Sequence, residues 1–398
     1  MKTIKAFAVS LLLCALTLVG LHLWCGRGLS ADGKAGTWVS DAKSQSGSTL
    51  KKMAADENAL LIFGSSELRH GQGSGFHGDT IFDGADMDPI YVGKAGYQSL
   101  THAITLGAVG SQAANKKAVL IVSPQWFKEN GVKSTAFEAA FSEEEYIALL
   151  ENPDISQETK DYINGRLQNI MADNENMSER VKKAREWYQP KDDNTAEQQG
   201  WLEQKKADFH KILLEEKNNY KVMTEALMDG ISNDKSRESG AKLSQATWKQ
   251  LRKEAETEGH KLSDGNDYGM FDNVYKGTYQ TLIANGKHKN PKYTLDSMEF
   301  SDLECFLSIC REEGIEPLVV ILPFNGYWYD YTELTAEERS AFYEKIRCIA
   351  EDYGVQCADL SGNEYTEYYF EDNSHPALKG LVDLNEAIYE FYRKDKTE

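Results

Sequence analysis

The chain has 398 residues, with 44 Lys or Arg against 63 Asp or Glu, so its formal net charge is −19. Hydrophobic residues make up 41% and charged residues 27%, which excludes collagen-like, low-complexity and wholly disordered chains. A chain this acidic lacks the basic surface that nucleic-acid binding requires, so we expect no nucleic-acid partner. Six cysteines are too few for a disulfide-dense scaffold, and buried free thiols are the favoured interpretation.

The N-terminus contains one long apolar segment. Residues 6–25 carry no charge, and a helix of that length spans about 30 Å, the thickness of a bilayer core. The segment ends at His-Leu-Trp-Cys25 without the small-residue site of a cleavable signal peptide. We therefore predict an uncleaved signal anchor over residues 1–26, with a cleaved signal as the alternative. A short tail before a large domain favours a single-pass protein in the cell membrane, with the domain outside.

Residues 27–57 are rich in Gly, Ser, Lys and Ala, and this composition predicts a stalk. The remaining residues, 58–398, contain five short apolar runs that are typical of strands buried on both faces. These runs are Ala59–Phe63, Ile90–Val92, Ala118–Ser123, Pro317–Leu322 and Val355–Asp359. Such strands form parallel sheets covered by helices, so the fold class is α/β with a doubly wound, mostly parallel sheet.

Amphipathic helices are predicted between these strands. One spans residues 297–313 and ends at Gly314, and a second begins at the capping box of Thr335 and Glu338. A last helix follows Pro376, which can serve as its first residue. Strand and helix therefore alternate, as in doubly wound proteins.

Residues 135–290 interrupt this alternation. They are acidic, Lys-rich and helical in pattern, and the longest helix is predicted from Trp201 to Met228. Its large apolar residues recur at helical spacing, which predicts packing against the protein. A helical insertion packed on the sheet domain is the simpler interpretation, and a lid or a partner platform is the alternative.

The first chemical signal is Phe63-Gly-Ser-Ser-Glu-Leu68, which directly follows the first strand. A Ser at a strand-to-helix turn lies at the carboxyl end of the sheet, where helix amides can stabilise a developing oxyanion. Gly64 permits the tight turn. The alternative is that Ser65 or Ser66 only caps the helix.

The second signal is Asp372-Asn-Ser-His375-Pro376. Pro376 disfavours helical geometry at His375 and so places it on a loop. Asp372, three residues earlier, can orient the imidazole and stabilise its protonated form. The alternative is a helix cap and a surface histidine.

Gly-Ser-Ser early and Asp-x-x-His late resemble the SGNH hydrolase pattern, in which Gly-Asp-Ser is usual, and this register makes Ser66 the nucleophile. More specifically, four stretches resemble the DltD family of D-alanyl-lipoteichoic acid biosynthesis proteins. They are Phe63–Leu68, Gly93–Leu100, Ser123–Phe127 and Leu322–Tyr331, and the segment from Asp372 to Gly380 and the N-terminal anchor complete the match.

This resemblance implies an outward-facing, membrane-anchored protein that acts in D-alanylation of lipoteichoic acid. Its implied partners are a polytopic membrane O-acyltransferase, the D-alanyl carrier protein and lipoteichoic acid itself. The implied chemistry is acyl transfer, in which Ser66 attacks a D-alanyl ester, His375 carries the proton and Asp372 orients His375.

The resemblance also implies an oxyanion hole. Gly96 corresponds to the family glycine, and Gln125 stands where SGNH enzymes have Asn. A plain turn glycine and a strand-end hydrogen bonder are the alternatives for these two residues. Asn325 follows the fourth strand, which places it on the ligand side of the sheet.

The sequence has no metal-ligand or nucleotide-binding motif in the required context, so we expect no metal and no cofactor. Because a net charge of −19 repels a polyphosphate chain, we also expect a locally neutral or basic groove near Ser66 that uses Arg69. Two other functions stay open: a non-catalytic scaffold for the D-alanylation machinery, and a general carbohydrate O-acetylesterase of the cell envelope.

Overall fold

The computed structural model describes residues 2–129, 131–189, 201–231, 240–286 and 292–394. Within them, five strands form one sheet: β1 (Ala59–Phe63), β2 (Asp88–Val92), β3 (Lys117–Val122), β4 (Glu316–Ile321) and β5 (Gln356–Asp359). Every neighbouring pair is parallel, and the order is β2-β1-β3-β4-β5. The predicted fold class is confirmed, and each predicted apolar run overlaps one strand.

Helices surround this sheet. They are α1 (Lys2–Cys25), α2 (Lys34–Thr37), α3 (Asp41–Ser44), α4 (Gly47–Ala54), α5 (Gly78–Ile81), α6 (Ser99–Val109), α7 (Ser134–Ala140), α8 (Glu143–Glu151), α9 (Gln157–Ile170), α10 (Glu175–Tyr188), α11 (Trp201–Met228), α12 (Gln245–Leu262), α13 (Asp272–Val274), α14 (Gln280–Ala284), α15 (Glu299–Glu312), α16 (Gly326–Tyr331), α17 (Ala336–Asp352) and α18 (Lys379–Arg393).

The sheet has a hydrophobic core on each face. Along β1, Leu61 and Phe63 join one core, whereas Leu60 and Ile62 join the other. This alternation follows from the two-residue repeat of a strand, and burial on both sides explains why β1 is apolar throughout.

The strand order creates a crevice beside β1. The chain passes from β1 to β2 on one side and then crosses to β3 on the other. Loops that leave β1 and β3 therefore diverge, and ligands of open α/β sheets bind at the carboxyl ends of strands at such a point. The loop after β1 carries Ser66.

Two helix boundaries agree with their sequence signals and one does not. α17 begins with both hydrogen bonds of the predicted capping box between Thr335 and Glu338. Gly314 has a φ of 64°, as expected after the end of α15. The prediction that Pro376 begins the last helix was wrong. Pro376 pairs with Phe370 in an isolated antiparallel bridge, and α18 starts at Lys379.

α1 is long and apolar enough to cross a membrane. The candidate span is Lys5–Cys25, with a mean hydropathy of 2.3 and none of its most apolar window buried in the protein. This finding is consistent with the predicted N-terminal anchor.

The prediction of a stalk over residues 27–57 was wrong. This segment contains α2, α3 and α4, and it packs into the same core as Phe63. The Lys43 side chain is fully buried, and its Nζ donates to the carbonyl oxygens of Ala35 (3.0 Å) and Gly36 (2.6 Å). A Cβ on Gly36 would lie 2.3 Å from the Pro89 carbonyl oxygen, so the small residues serve close packing rather than flexibility.

The helical insertion near residues 135–290 comprises α7 to α14. Helices α8 to α11 contribute to the core that contains Phe63, whereas Trp248 and Ala255 of α12 join the core that contains Ile62. The insertion thus covers both faces of the sheet.

The cysteines, all of which lie within the described residues, are free thiols. Cys25, Cys305 and Cys310 are buried, in agreement with the sequence interpretation, whereas Cys14 and Cys348 are exposed and Cys357 is partly buried.

Candidate active site

The turn after β1 fixes the position of Ser66. The chain leaves β1 through Gly64 and enters a 3₁₀ helix over Ser66–Leu68. A Cβ on Gly64 would lie 2.6 Å from Glu67 Oε1 and 2.9 Å from Leu68 Cγ, so glycine allows these two buried side chains to pack against the turn. Glu67 Oε1 in turn accepts a hydrogen bond from the Ser65 amide at 2.5 Å. The helix is a single 3₁₀ turn rather than an α-helix, so its dipole contributes little at Ser66.

The three predicted side chains are hydrogen bonded in series at this edge of the sheet. Ser66 Oγ lies 2.7 Å from His375 Nε2, although the two residues are 309 positions apart. His375 Nδ1 lies 2.7 Å from Asp372 Oδ2. A hydroxyl that contacts an imidazole, itself held by a carboxylate, is the arrangement that activates a serine nucleophile.

The loop before α18 holds the carboxylate of Asp372 in this orientation. Asp372 Oδ1 accepts hydrogen bonds from the backbone amides of Ser374 and His375, both at 2.8 Å. Its other oxygen is thereby left to face the imidazole. The three-residue spacing of Asp372 and His375 lets the carboxylate contact both the backbone amide and the imidazole of His375.

Burial and the neighbouring charges shift the pKa values of Asp372 and His375 in opposite directions. Burial disfavours the charged carboxylate of Asp372, but its hydrogen bonds from His375 and the loop amides outweigh burial, so its pKa is lowered. Burial likewise disfavours the imidazolium of His375. The neighbouring Asp372, with the charges of Glu67 and Glu371, outweighs burial and raises the pKa of His375. The imidazole is therefore a stronger base than a free histidine.

A second histidine supports the first, and sequence reasoning missed it. The ring of His70 stacks on that of His375, with centroids 3.7 Å apart and planes inclined by 11°. His70 Nδ1 lies 2.9 Å from Glu371 Oε2, so this pair also joins the turn after β1 to the loop before α18. The only sequence signal for this pair is position: His70 lies four residues after Ser66, and Glu371 directly precedes Asp372.

The two predicted oxyanion residues lie near the turn but make other contacts. The Gly96 amide donates to Ser65 Oγ at 3.3 Å, and its φ of 95° is a conformation that favours glycine. Gln125 follows β3, and its side chain is close to the Tyr329 hydroxyl. Gln125 Nε2 is buried without a hydrogen bond of good geometry. Their contribution to an oxyanion hole stays a prediction.

Asn325 was predicted on the ligand side, but it is fully buried. Its Oδ1 accepts a hydrogen bond from the Trp328 amide at the start of α16, and its Nδ2 donates to the carbonyl oxygens of Tyr268 (2.9 Å) and Asp372 (3.2 Å). With both ends of its amide engaged, Asn325 supports the loop that carries Asp372 rather than facing a substrate.

A cavity of about 390 Å³ opens beside Ser66. Its charged lining residues are Arg69, Lys94 and Glu371, and His70 also lines it. Lys94 Nζ lies 2.6 Å from Asp41 Oδ2, so its charge is largely balanced. The cavity lining therefore contains the predicted Arg69, and a locally neutral or basic groove near Ser66 stays a prediction. Over the described residues, no group of three or more His, Cys, Asp or Glu side chains is arranged to hold a metal ion.

Comparison with known proteins gives one consistent result. The family model described as DltD protein matches residues 36–393. Protein DltD of Bacillus subtilis (strain 168) is 32% identical over 352 residues, which cover 87% of this chain and 85% of the relative. Protein DltD of Staphylococcus aureus (strain NCTC 8325 / PS 47) is 27% identical over 82% of this chain and 79% of its own length. Protein DltD of Lacticaseibacillus rhamnosus is 25% identical over 97% of this chain and 89% of its own length.

Proposed function

This chain belongs to the DltD family, and from that premise we propose that it catalyses acyl transfer in the D-alanylation of lipoteichoic acid. In this proposal α1 anchors the protein in the cell membrane and the α/β domain faces outward. The observation that carries the proposal is the contact between Ser66 Oγ and His375 Nε2 at 2.7 Å.

The proposed reaction has two half-steps. Ser66 Oγ attacks the carbonyl carbon of a D-alanyl ester while His375 Nε2 takes the hydroxyl proton, and Asp372 stabilises the imidazolium. The C–O bond to the leaving alcohol breaks, and that alcohol takes the proton. A hydroxyl of the polyglycerol-phosphate chain then attacks the acyl-serine and gives its proton to His375. The C–O bond between the acyl group and Ser66 breaks, and His375 returns the proton to Ser66 Oγ. With water as the acceptor, the same site acts as an esterase.

The oxyanion of each half-step needs hydrogen-bond donors. We assign this role to the backbone amides of Ser66 and Gly96, with Gln125 as a third candidate. The Gly96 amide now contacts Ser65 Oγ at 3.3 Å, a long hydrogen bond that a developing negative charge can replace. Removal of one such donor typically lowers kcat by about 10²- to 10³-fold.

We assign a positioning role to His70 and Glu371. The stacked ring of His70 limits rotation of the His375 imidazole, and the hydrogen bond to Glu371 holds His70 in place. Rotation of His375 by a few tens of degrees would break its contacts with Ser66 and Asp372, so a fixed ring plane favours proton transfer.

The proposed partners follow from the pathway. A carrier protein presents D-alanine on the inner side, and a polytopic membrane O-acyltransferase passes it outward to this protein. Lipoteichoic acid enters the cavity beside Ser66, where Arg69 is available to a phosphate of the chain.

The deciding experiment complements a strain that lacks its own copy with the Ser66→Ala variant and measures D-alanine ester content in lipoteichoic acid. We expect the content to fall to that of the strain without the protein, at equal protein level by immunoblot. The neighbouring Ser65→Ala variant is the matched control, and it should retain most of the ester.

Unchanged ester content in Ser66→Ala would instead favour the non-catalytic scaffold. Purified protein that deacetylates glycans with no preference for D-alanyl esters would favour the O-acetylesterase.

A further inference from the structure

The longest helix of the insertion, α11, packs Leu214 and Met223 partly against the core but leaves eight other large apolar side chains exposed. We call this set the apolar face of α11, and its exposed fractions range from 49% to 80%. It comprises Trp201, Leu202, Phe209, Ile212, Leu213, Tyr220, Leu227 and Met228. The helix was predicted correctly, and of the apolar residues predicted at helical spacing only Met223 packs against the core. The others are exposed: Phe209, Ile212, Leu213, Tyr220 and Leu227.

The opposite side of α11 is the one that packs against the protein. Its buried residues are small or polar: Ala207, Asn219, Val222 and Ala226. Small side chains let the helix approach closely, and polar contacts fix its rotation. Asn218 Nδ2 donates to Glu144 Oε2 at 2.6 Å, and Ser40 Oγ donates to Glu225 Oε2 at 3.0 Å. The helix is therefore held with its apolar face pointing away from the domain.

An exposed apolar stripe of this length is unusual in a water-soluble surface and marks a contact with another apolar phase. The membrane anchor indicates which phase. α1 packs against α11, and His22 Nδ1 lies 2.6 Å from Glu216 Oε1. His22 is three residues before the end of the candidate span Lys5–Cys25, or about 4.5 Å along the helix axis. The contact thus lies near the membrane–water boundary.

Glu216 lies on the same side of α11 as the apolar face, because it follows Leu213 by three positions and precedes Tyr220 by four. The contact with the anchor therefore brings the middle of the apolar face to the depth of the lipid headgroups.

We propose that the apolar face of α11 lies in the interfacial layer of the bilayer, with lipid as its occupant. This inference rests on the membrane anchoring in the proposed function. α11 has 28 residues, which is about 42 Å of helix, and includes five Lys and five acidic residues, so it is too charged to span the membrane. A helix with an apolar face, aromatic residues and charged flanks is suited to lie in the plane of the interface.

A second attachment has a consequence for function. A single helical anchor lets the domain swivel, whereas an anchor combined with a surface helix restricts its orientation. The domain would then present the cavity beside Ser66 at a constant height and angle above the membrane, where a lipid-linked polymer begins.

The experiment uses the full chain, purified and reconstituted in vesicles of phosphatidylcholine and phosphatidylglycerol. The photoreactive aromatic residue p-benzoylphenylalanine replaces Phe209 or Tyr220, both exposed aromatics of the apolar face. Tyr327 of α16, also an exposed aromatic, is the matched control, and Phe7 of α1 reports on anchoring. After irradiation, mass spectrometry identifies the crosslinked product, and thermal unfolding confirms that each variant is folded.

We expect phospholipid adducts at Phe7, Phe209 and Tyr220 and none at Tyr327. A lipid adduct at Phe7 with none at Phe209 or Tyr220, or with crosslinks only to a second copy of the chain, would overturn the inference and leave the proposed function intact. No lipid adduct at Phe7 would overturn the membrane anchoring and, with it, this inference, whereas acyl transfer at Ser66 is tested separately by the Ser66→Ala variant.

Discussion

The edge of the sheet beside Ser66 and the apolar face of α11 are opposite kinds of surface. At the sheet edge, polar side chains that are far apart in sequence satisfy one another, as in the 2.7 Å contacts of His375 with Ser66 and Asp372. On α11, apolar side chains that are close in sequence are exposed together. The polar groups at the sheet edge have hydrogen-bond partners within the protein, whereas the apolar face of α11 has its proposed contact with lipid outside it.

This difference separates two tasks of one chain. In the proposed function the sheet edge carries out the chemistry, with groups that are oriented before a substrate arrives. In the proposed membrane contact the apolar face of α11 serves to place the domain. Substitutions at the sheet edge should therefore change rates while leaving membrane contact intact, and substitutions on α11 should do the reverse.

The largest effect is expected from Ser66→Ala. Loss of the proposed nucleophile should lower the rate of D-alanyl ester turnover by about 10⁴-fold or more, because alanine has no hydroxyl to form the acyl intermediate. The measurement is steady-state kinetics on purified full-length protein. Retention of more than a tenth of the rate, with normal thermal stability, would show that the sheet edge is not the reactive region.

Asp372→Asn should lower the same rate by about 10⁴-fold, since the amide holds the wrong tautomer of His375.

The rate of the unchanged protein should also rise with pH and level off above the raised pKa of His375, because only the neutral imidazole accepts the serine proton. A pH–rate profile of the unchanged protein measures this rise, and the profile of Asp372→Asn measures the loss of rate in that variant. A rate that falls over the range in which His375 loses its proton would contradict its role as the base.

A change in the insertion should affect stability rather than chemistry. Arg166 of α9 makes two hydrogen bonds of 2.8 Å to the buried carboxylate of Asp302 in α15. Asp302→Ala leaves the Arg166 charge unpaired and should lower the free energy of unfolding by about 3–5 kcal/mol. Chemical denaturation measures this value. A change below about 1 kcal/mol would mean that the insertion is held to the domain in another way.

The smallest effect is expected at His70. His70→Ala should lower the rate by about tenfold, whereas His70→Phe should recover most of it, since a phenyl ring can keep the stack on His375. The pH–rate profile should shift in the alanine variant and move back in the phenylalanine variant. Equal loss in both variants would mean that the imidazole of His70 acts through its hydrogen bond to Glu371 instead.

Sequence patterns predicted the parts of this protein that depend on local rules. The strands could be predicted because burial on both faces requires continuous apolar runs, as from Ala59 to Phe63. Ser66, Asp372 and His375 could be predicted because each follows or precedes a recognisable element. The capping box of Thr335 and Glu338 is a contact within one helical turn.

The features that the sequence did not predict, or predicted wrongly, have a different physical origin. The stack of His70 on His375 and the burial of Asn325 depend on how distant loops meet, which no local pattern specifies. The segment of α2 to α4 was assigned to a stalk because small residues suit both flexible linkers and close packing. For α11, periodicity indicates a helix with an apolar side, but it does not say whether protein or membrane covers that side.

The most direct test is mass spectrometry of the Ser66 peptide after full-length protein is incubated with D-alanylated lipoteichoic acid and quenched in acid. The account predicts a D-alanyl ester on Ser66 that is absent from the Ser66→Ala and His375→Ala proteins. A correctly folded protein that never acquires this ester, or one that acquires it equally without His375, would contradict the account.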